Sequence, residues 1–151
     1  MRPCAVGTRW MRSLRCARMA GVLIALSACS SQASPRSGVV LPVTEKDYRI
    51  TSSITDLPAG IVSFDVHNRG PSTHEFVVFE TNQPEDQLPL GADGLTINED
   101  SPSIHHVGEF SEVDIGQSRT LGLRLPPGRY VLVCNLEGHY LGGMHLVVTV
   151  H

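Results

Sequence analysis

Four side chains of the chain have the types and the spacing of metal ligands. Cys134, His139 and Met144 follow one another at intervals of five positions, and His74 lies 60 positions before Cys134. Together they offer a thiolate, a thioether and two imidazoles. Sulfur and imidazole donors in combination select soft or borderline transition metals. The pattern therefore indicates a site for a transition-metal ion.

This donor set is that of a type 1, or blue, copper site. In such a site copper lies in the plane of two histidines and one cysteine, and a methionine sulfur forms a long, weak axial bond. Thiolate sulfur favours Cu(I) and imidazole also accommodates Cu(II), so one fixed intermediate geometry serves both oxidation states. The sequence thus predicts that His74, Cys134, His139 and Met144 bind one copper ion that exchanges single electrons.

Other uses of these residues fit the pattern less well. A thiol hydrolase would use Cys134 as nucleophile and a histidine as base, which leaves His74 and Met144 without a role. Zinc is disfavoured because a thioether is a poor zinc ligand. We therefore predict no catalytic residue and no enzyme activity. A copper chaperone or storage module is the alternative function, but the chain after residue 28 has a single methionine and no Met- or His-rich tract.

Short runs of alternating apolar and polar residues, separated by turn residues, are typical of β-strands. Residues 61–67 alternate in this way before Asn-Arg-Gly-Pro, and residues 119–125 do so before Pro-Pro-Gly. Seven to eight such strands, without a convincing helical period, predict an all-β Greek-key β-sandwich. Residues 82–103 are irregular, and we expect a short helix or a partner contact there. The His105-His106 pair after them could form a second, surface metal site, although a solvated strand start is the simpler interpretation.

The ligand motifs resemble those of the cupredoxins, the small blue copper electron carriers, over about residues 38–151. Three stretches carry the resemblance: Asn68-x-Gly70-x-x-x-His74, the loop from Cys134 to Met144, and the run 127–135. Single-domain sulfocyanin-, auracyanin- and rusticyanin-like proteins share this long C-x4-H-x4-M loop. The resemblance implies a cupredoxin-like sandwich, copper ligation by the four residues named above, and one-electron transfer.

The resemblance also implies a route for the electron. His139 would reach the surface as the electron port, within a small apolar patch. The residues of that patch are Leu136, Tyr140, Leu141, Gly142 and Gly143. One position departs from the family pattern, because Glu75 follows the first histidine where many cupredoxins have a small polar residue that ties the two ligand loops together. Asn68 or Asn135 would then have to supply that hydrogen bond.

The amino-terminal end has the features of an export signal. Five of the twelve basic residues precede position 19, all fifteen acids lie from Glu45 onward, and an apolar run covers residues 19–28. A bilayer takes roughly 20 apolar residues to cross, so a cleaved signal peptide over 1–28 is favoured over a membrane anchor. Leu26-Ser27-Ala28-Cys29 resembles a bacterial lipobox, which would make a lipidated Cys29 the new amino terminus. An ordinary signal with an incidental cysteine is the alternative.

The part of the chain after the signal is acidic. Residues 29–45 are predicted to form a flexible tether, and residues 46–151 the cupredoxin domain. Without residues 1–28 the chain has seven basic and fifteen acidic residues, a formal net charge of −8. That charge argues against nucleic-acid binding and favours a redox partner with a basic docking face, such as a cytochrome or an oxidase subunit. We expect an exported monomer, held by its lipid at the periplasmic or extracellular face of a membrane.

Overall fold

The computed structural model describes residues 38–151, which form two β-sheets and no α-helix. The nine strands of this region are β1 Val39–Lys46, β2 Arg49–Ser52, β3 Asp56–Leu57, β4 Gly60–Asn68, β5 His74–Glu80, β6 His105–Val113, β7 Ser118–Leu125, β8 Gly128–Val133 and β9 His145–Val150. One sheet has the order β2-β1-β4-β7, and the other has the order β3-β9-β8-β5-β6. The chain passes repeatedly from one sheet to the other, as Greek-key connections do. The predicted all-β sandwich is confirmed, with nine strands instead of seven to eight.

The core between the sheets comes from strands whose side chains alternate. In β4, Val62, Phe64 and Val66 are fully buried, and their neighbours point away from the core. Phe64 meets Phe76 of β5 across the sandwich, with ring centroids 5.6 Å apart. Burial of each such side chain stabilises the fold by about 1.5–3 kcal/mol. Because residues 38–151 contain an extensive buried core of their own, we expect that region to fold by itself.

A second apolar cluster covers the outer face of the five-stranded sheet. Leu88 and Ile97, from the irregular segment 82–103, pack with Val77 of β5 and Val131 of β8. The segment contains no helix, so the short helix expected there is wrong. Its prolines lack the N–H that helical hydrogen bonds need, and its glycines disfavour a helix by their backbone freedom. Its apolar side chains instead cover the sheet. This cover explains why β5 and β8 are buried on both faces.

The domain begins earlier than predicted. β1 occupies Val39–Lys46, so the predicted tether over 29–45 is wrong from residue 39 onward. β1 pairs in parallel with β4, with Leu41 opposite Phe64, and Leu41 is fully buried. The predicted signal peptide over 1–28 and the lipidation site Cys29 lie outside the described residues. Within residues 38–151, no helix is long and apolar enough to cross a membrane.

Strand pairing brings three segments of the predicted site to one end of the five-stranded sheet. β5 begins at His74 and runs antiparallel to β8, with Val77 opposite Val133. β8 in turn runs antiparallel to β9. His74 therefore lies at the same end as Cys134, which directly follows β8, and Met144, which directly precedes β9.

Candidate metal centre

Three of the predicted ligands converge on one point. Nδ1 of His139 lies 3.3 Å from Sγ of Cys134, and Nδ1 of His74 lies 4.0 Å from the same sulfur. The two imidazole rings are 5.3 Å apart and inclined at 63°. One ligand atom from each of the three side chains lies within 4.8 Å of the others. Both imidazoles thus present the same nitrogen, Nδ1, to the thiol.

Met144 is brought to these three residues by the loop that follows Cys134. The backbone N–H of Cys134 donates to the carbonyl of Met144 at 3.1 Å, and the N–H of Met144 donates to the carbonyl of His139 at 3.1 Å. Met144 is fully buried in the same apolar cluster as Cys134. A single closed loop therefore holds the thiol, one imidazole and the thioether.

Burial leaves the thiol and the first imidazole of the centre uncharged. Burial raises the pKa of the Cys134 thiol to about 11, although backbone hydrogen bonds to the sulfur oppose this, including one from the N–H of Glu75 at 3.3 Å. Burial and the neighbouring His139 lower the pKa of His74. His74 is therefore neutral, which is the form that binds metals, and a metal ion would replace the thiol proton. A buried thiol, two imidazoles and a thioether fit copper as a donor set.

Solved structures resemble this sandwich, although no protein-family model and no curated protein matches the chain. A reduced auracyanin from the photosynthetic bacterium Roseiflexus castenholzii aligns with a TM-score of 0.57 and 20% identity, over 76% of this chain and 98% of that one. Auracyanin A from Chloroflexus aurantiacus, described as a "blue" copper protein, aligns with a TM-score of 0.57 and 16% identity, over 76% and 100%. Rusticyanin from Thiobacillus ferrooxidans aligns with a TM-score of 0.54 and 18% identity, over 76% and 79%.

The chain has the cupredoxin fold. In this version of the fold, a buried asparagine holds the loop that enters β5. Asn68 donates from Nδ2 to the carbonyls of Ser72 at 2.7 Å and Val113 at 2.8 Å, and its Oδ1 accepts from the N–H of Gly70 at 2.8 Å. A Cβ at Gly70 would lie 2.8 Å from Nε2 of His74, so only glycine permits this approach.

Asn135 ties the ligand loop to the segment that covers the sheet. Its Oδ1 accepts from the N–H of Ile97 at 2.6 Å, and its Nδ2 donates to Oε1 of Glu99 at 2.7 Å. Neither Asn135 nor Asn68 therefore joins the two ligand loops to each other, and that expectation is wrong. The backbone N–H of Glu75 makes the link instead, by its hydrogen bond to Sγ of Cys134.

The turn between β1 and β2 covers both histidines of this cupredoxin fold, which the sequence pattern did not indicate. Oδ1 of Asp47 lies 3.2 Å from Nε2 of the neutral His74, without the alignment of a hydrogen bond. The ring of Tyr48 stands edge-on to His139, with centroids 5.4 Å apart. These contacts depend on the position of β1, which its long-range pairing with β4 sets, so no sequence motif predicts them.

The surface around His139 differs in part from the predicted apolar patch. Tyr140 is buried, because its hydroxyl accepts a hydrogen bond from the N–H of Leu88 at 2.8 Å and its ring lies in the outer cluster. Leu136 packs partly against the core. Leu141, Gly142 and Gly143 are exposed as expected. Tyr48, which is 55% exposed, occupies the place in the patch that was predicted for Tyr140.

Proposed function

We propose that the protein is a one-electron carrier that binds one type 1 copper ion through His74, Cys134, His139 and Met144. The observation that carries this proposal is the convergence of two Nδ1 atoms on the single cysteine sulfur of residues 38–151. The neighbouring auracyanin, described as a "blue" copper protein on the same fold, supports the choice of copper.

Copper, when bound, supplies the Cu(II)/Cu(I) couple, and the chain supplies a rigid, dry environment. Cys134, His74 and Met144 are fully buried, so water is kept from the thiolate. The hydrogen bond from the N–H of Glu75 to the sulfur withdraws charge from it and favours the reduced state. Because backbone hydrogen bonds hold the ligands in place, little needs to move when an electron passes.

We infer that electrons pass through the exposed end of the centre, beside His139. Exposed Tyr48 and Leu141 make this end apolar, which suits the small, short-lived interfaces of redox partners. The net charge of −8 after residue 28 would steer a partner with a basic face, such as a cytochrome or an oxidase subunit. The electron-transfer rate with a basic cytochrome should then fall as ionic strength rises. An electron-transfer rate that does not depend on ionic strength would reject the proposed electrostatic steering of the partner.

Export and lipidation at Cys29 complete the proposal. The signal-like segment 1–28 and the lipobox-like sequence before Cys29 support it. Two acyl chains on that residue would give stable membrane attachment. The expected result is a membrane-bound mature chain that Cys29→Ser releases from the membrane. If the unaltered chain and Cys29→Ser divided equally between the membrane and soluble fractions, the lipid anchor would be rejected. The proposal of a copper centre would still stand.

Copper binding and reversible reduction test the central proposal. The chain from Ser30 onward, mixed with Cu(II), should develop an intense blue absorption that a reductant bleaches and an oxidant restores. Cys134→Ser should abolish the colour, whereas Cys29→Ser in the full chain should not. A colourless protein would reject the electron carrier, and copper that exchanges rapidly with a chelator would favour a chaperone or storage module.

A further inference from the structure

A second group of metal-ligating side chains lies outside the copper centre. It contains Glu99 from the covering segment, and His106 and Glu109 from β6. Nε2 of His106 lies 3.1 Å from Oε2 of Glu109 and 3.9 Å from Oε2 of Glu99. Zinc ligands about 2.1 Å from the ion in a tetrahedron lie about 3.4 Å from one another. All three donor atoms lie within 4.8 Å of one another, close enough for one ion to contact all of them after small side-chain adjustments.

A β-bulge places His106 and Glu109 together. In a regular strand, residues three positions apart point to opposite faces. The register between β5 and β6 shifts here, because Val78 lies opposite Gly108 whereas Phe79 lies opposite His106. The extra residue turns His106 to the side of Glu109. Bulges commonly re-aim side chains in this way beside functional sites.

Contacts from outside the group orient two of the three donors. The ring of His106 packs edge-on against Phe79, with centroids 5.8 Å apart. Oε1 of Glu99 accepts the hydrogen bond from Asn135, which leaves Oε2 to face His106. Partners that hold a ligand from behind and fix its orientation are typical of protein metal sites.

Among the described residues, His106 is the one basic side chain that lies beside the carboxyl groups of this cluster. The carboxyl of Glu75 is close enough to interact electrostatically with Glu99, Glu109 and His106. Within residues 38–151, no lysine or arginine forms an ion pair with any of these three carboxyl groups. A divalent cation would supply the missing positive charge.

We propose that Glu99, His106 and Glu109 bind a divalent transition-metal ion, for which Zn²⁺ is the probe. An imidazole with two carboxylates suits zinc, whereas Mg²⁺ and Ca²⁺ prefer oxygen ligands alone. Three protein ligands leave a fourth position for water or for a donor from a partner. His105, the other member of the histidine pair, precedes the bulge and takes no part in the group.

The second site is connected to the copper centre through two neighbouring residues. Asn135, which holds Glu99, follows Cys134, and Glu75, beside the group, donates its N–H to the sulfur of Cys134. If the proposed function holds, a cation here destabilises Cu(II) more than Cu(I), so the copper reduction potential rises. By linkage, zinc then binds the reduced protein more tightly, and a tenfold difference in affinity equals a rise of 59 mV.

Calorimetric titration of the copper-loaded protein with Zn²⁺ tests the site itself. We expect one Zn²⁺ per chain without loss of the blue colour, at least tenfold weaker binding by His106→Ala and Glu109→Gln, and no saturable binding of Mg²⁺. His105→Ala and Glu112→Gln, which alter exposed neighbours on the same strand, should bind as the unaltered protein does. Absent binding, or equal binding by His106→Ala, would overturn the site and leave only a hydrogen-bonded His–Glu pair.

Two further measurements separate this site from the copper centre. If the protein takes up no copper, the Zn²⁺ titration is repeated on the double variant Cys134→Ser/His139→Ala, which lacks two ligands of the first centre. One Zn²⁺ bound per chain would still support the second site, and no binding would overturn it. If copper binds, its reduction potential with and without saturating Zn²⁺ tests the connection. The potential should rise in the unaltered protein and in His105→Ala but not in His106→Ala. An unchanged potential with zinc bound would overturn the connection.

Discussion

The buried carboxyl of Glu45 makes a quantitative prediction about stability and pH. Glu45 lies on β1 with its side chain inside the sandwich, fully buried, and neither carboxyl oxygen has a hydrogen-bond partner among the described residues. Loss of hydration disfavours the charged form of such an acid. Burial accordingly raises the pKa of Glu45 from 4.5 to about 8.

The raised pKa of Glu45 means that stability is lost as the pH rises. Below pH 4.5 the carboxyl is protonated in both the folded and the unfolded chain. Between pH 4.5 and about 8 the unfolded chain ionises while the folded chain keeps its proton. The free energy of unfolding then falls by about 1.4 kcal/mol per pH unit, which amounts to about 3 kcal/mol at neutral pH.

Glu45→Gln keeps the shape of the side chain and removes its ionisation. The free energy of unfolding of the variant should match that of the wild type near pH 4.5 and exceed it by about 3 kcal/mol near neutral pH. Urea unfolding of the copper-free wild type and variant, followed by far-ultraviolet circular dichroism between pH 4.5 and neutral pH, measures the two free energies of unfolding. Glu112→Gln is the control, because an exposed substitution should change stability by less than about 0.5 kcal/mol.

Parallel pH profiles for the wild type and Glu45→Gln would refute this reasoning. Such profiles would mean that the carboxyl ionises in the folded protein as easily as in water. The comparison uses the difference between two proteins because burial also raises the pKa of Glu75 and of Cys134. The contribution of Glu75 is common to both proteins and cancels in the difference. The pKa of Cys134, which the charge of Glu45 also raises, is about 11, so this thiol stays protonated across the pH range compared.

Three further substitutions test the copper centre and its support. Met144→Leu should keep the blue copper but raise its reduction potential, since the axial sulfur donor is lost, and an unchanged or lower potential contradicts an axial Met144. Asn68→Ala removes the partner of two buried backbone groups and of one half-buried carbonyl, and it should lower the free energy of unfolding by about 3 kcal/mol in urea. Exposed Asn82→Ala should not. Gly142→Ala places a methyl group against the ring of Tyr48 and should push that ring away from the centre, so cyanide should bleach the blue colour faster. Gly122→Ala is the control, because the added methyl group there has free space. Equal bleaching rates in the two variants would mean that Tyr48 does not shield the centre.

The sequence was most informative where spacing and chemistry coincide. Cys134 and Met144 flank a single loop, so their proximity follows from local chain geometry. His74 could be added to the predicted ligand set for two reasons. A type 1 copper site needs a second imidazole, and β-strand alternation places the side chain of His74 on an apolar face. The order of the strands within each sheet could not be derived, because it depends on pairing between distant segments such as β1 and β4.

Several features that the sequence did not reveal share a physical cause, which is long-range strand pairing. β1 contains Pro42 and follows a Ser- and Pro-rich stretch, so it resembles a tether until β4 supplies its hydrogen bonds. The contact of Tyr48 with His139 depends on that same strand. Likewise, a regular strand would place His106 and Glu109 on opposite faces. The register shift in β6, which only the structure reveals, places them on the same face.

The position of β1 also predicts how the metal centre would be oriented relative to a membrane. β1 ends at the turn that touches both histidines, and a strand rises about 3.3 Å per residue, so Val39 lies roughly 23 Å from the centre along the strand. If Cys29 carries the lipid, the chain enters the domain at the end away from the metal, and His139 faces away from the membrane. In the lipidated protein on vesicles, a fluorophore at Val40→Cys should be quenched by headgroup-attached quenchers more strongly than one at Leu141→Cys, both positions being exposed. Stronger quenching at 141 would mean that the centre faces the membrane, where a soluble partner could not reach it.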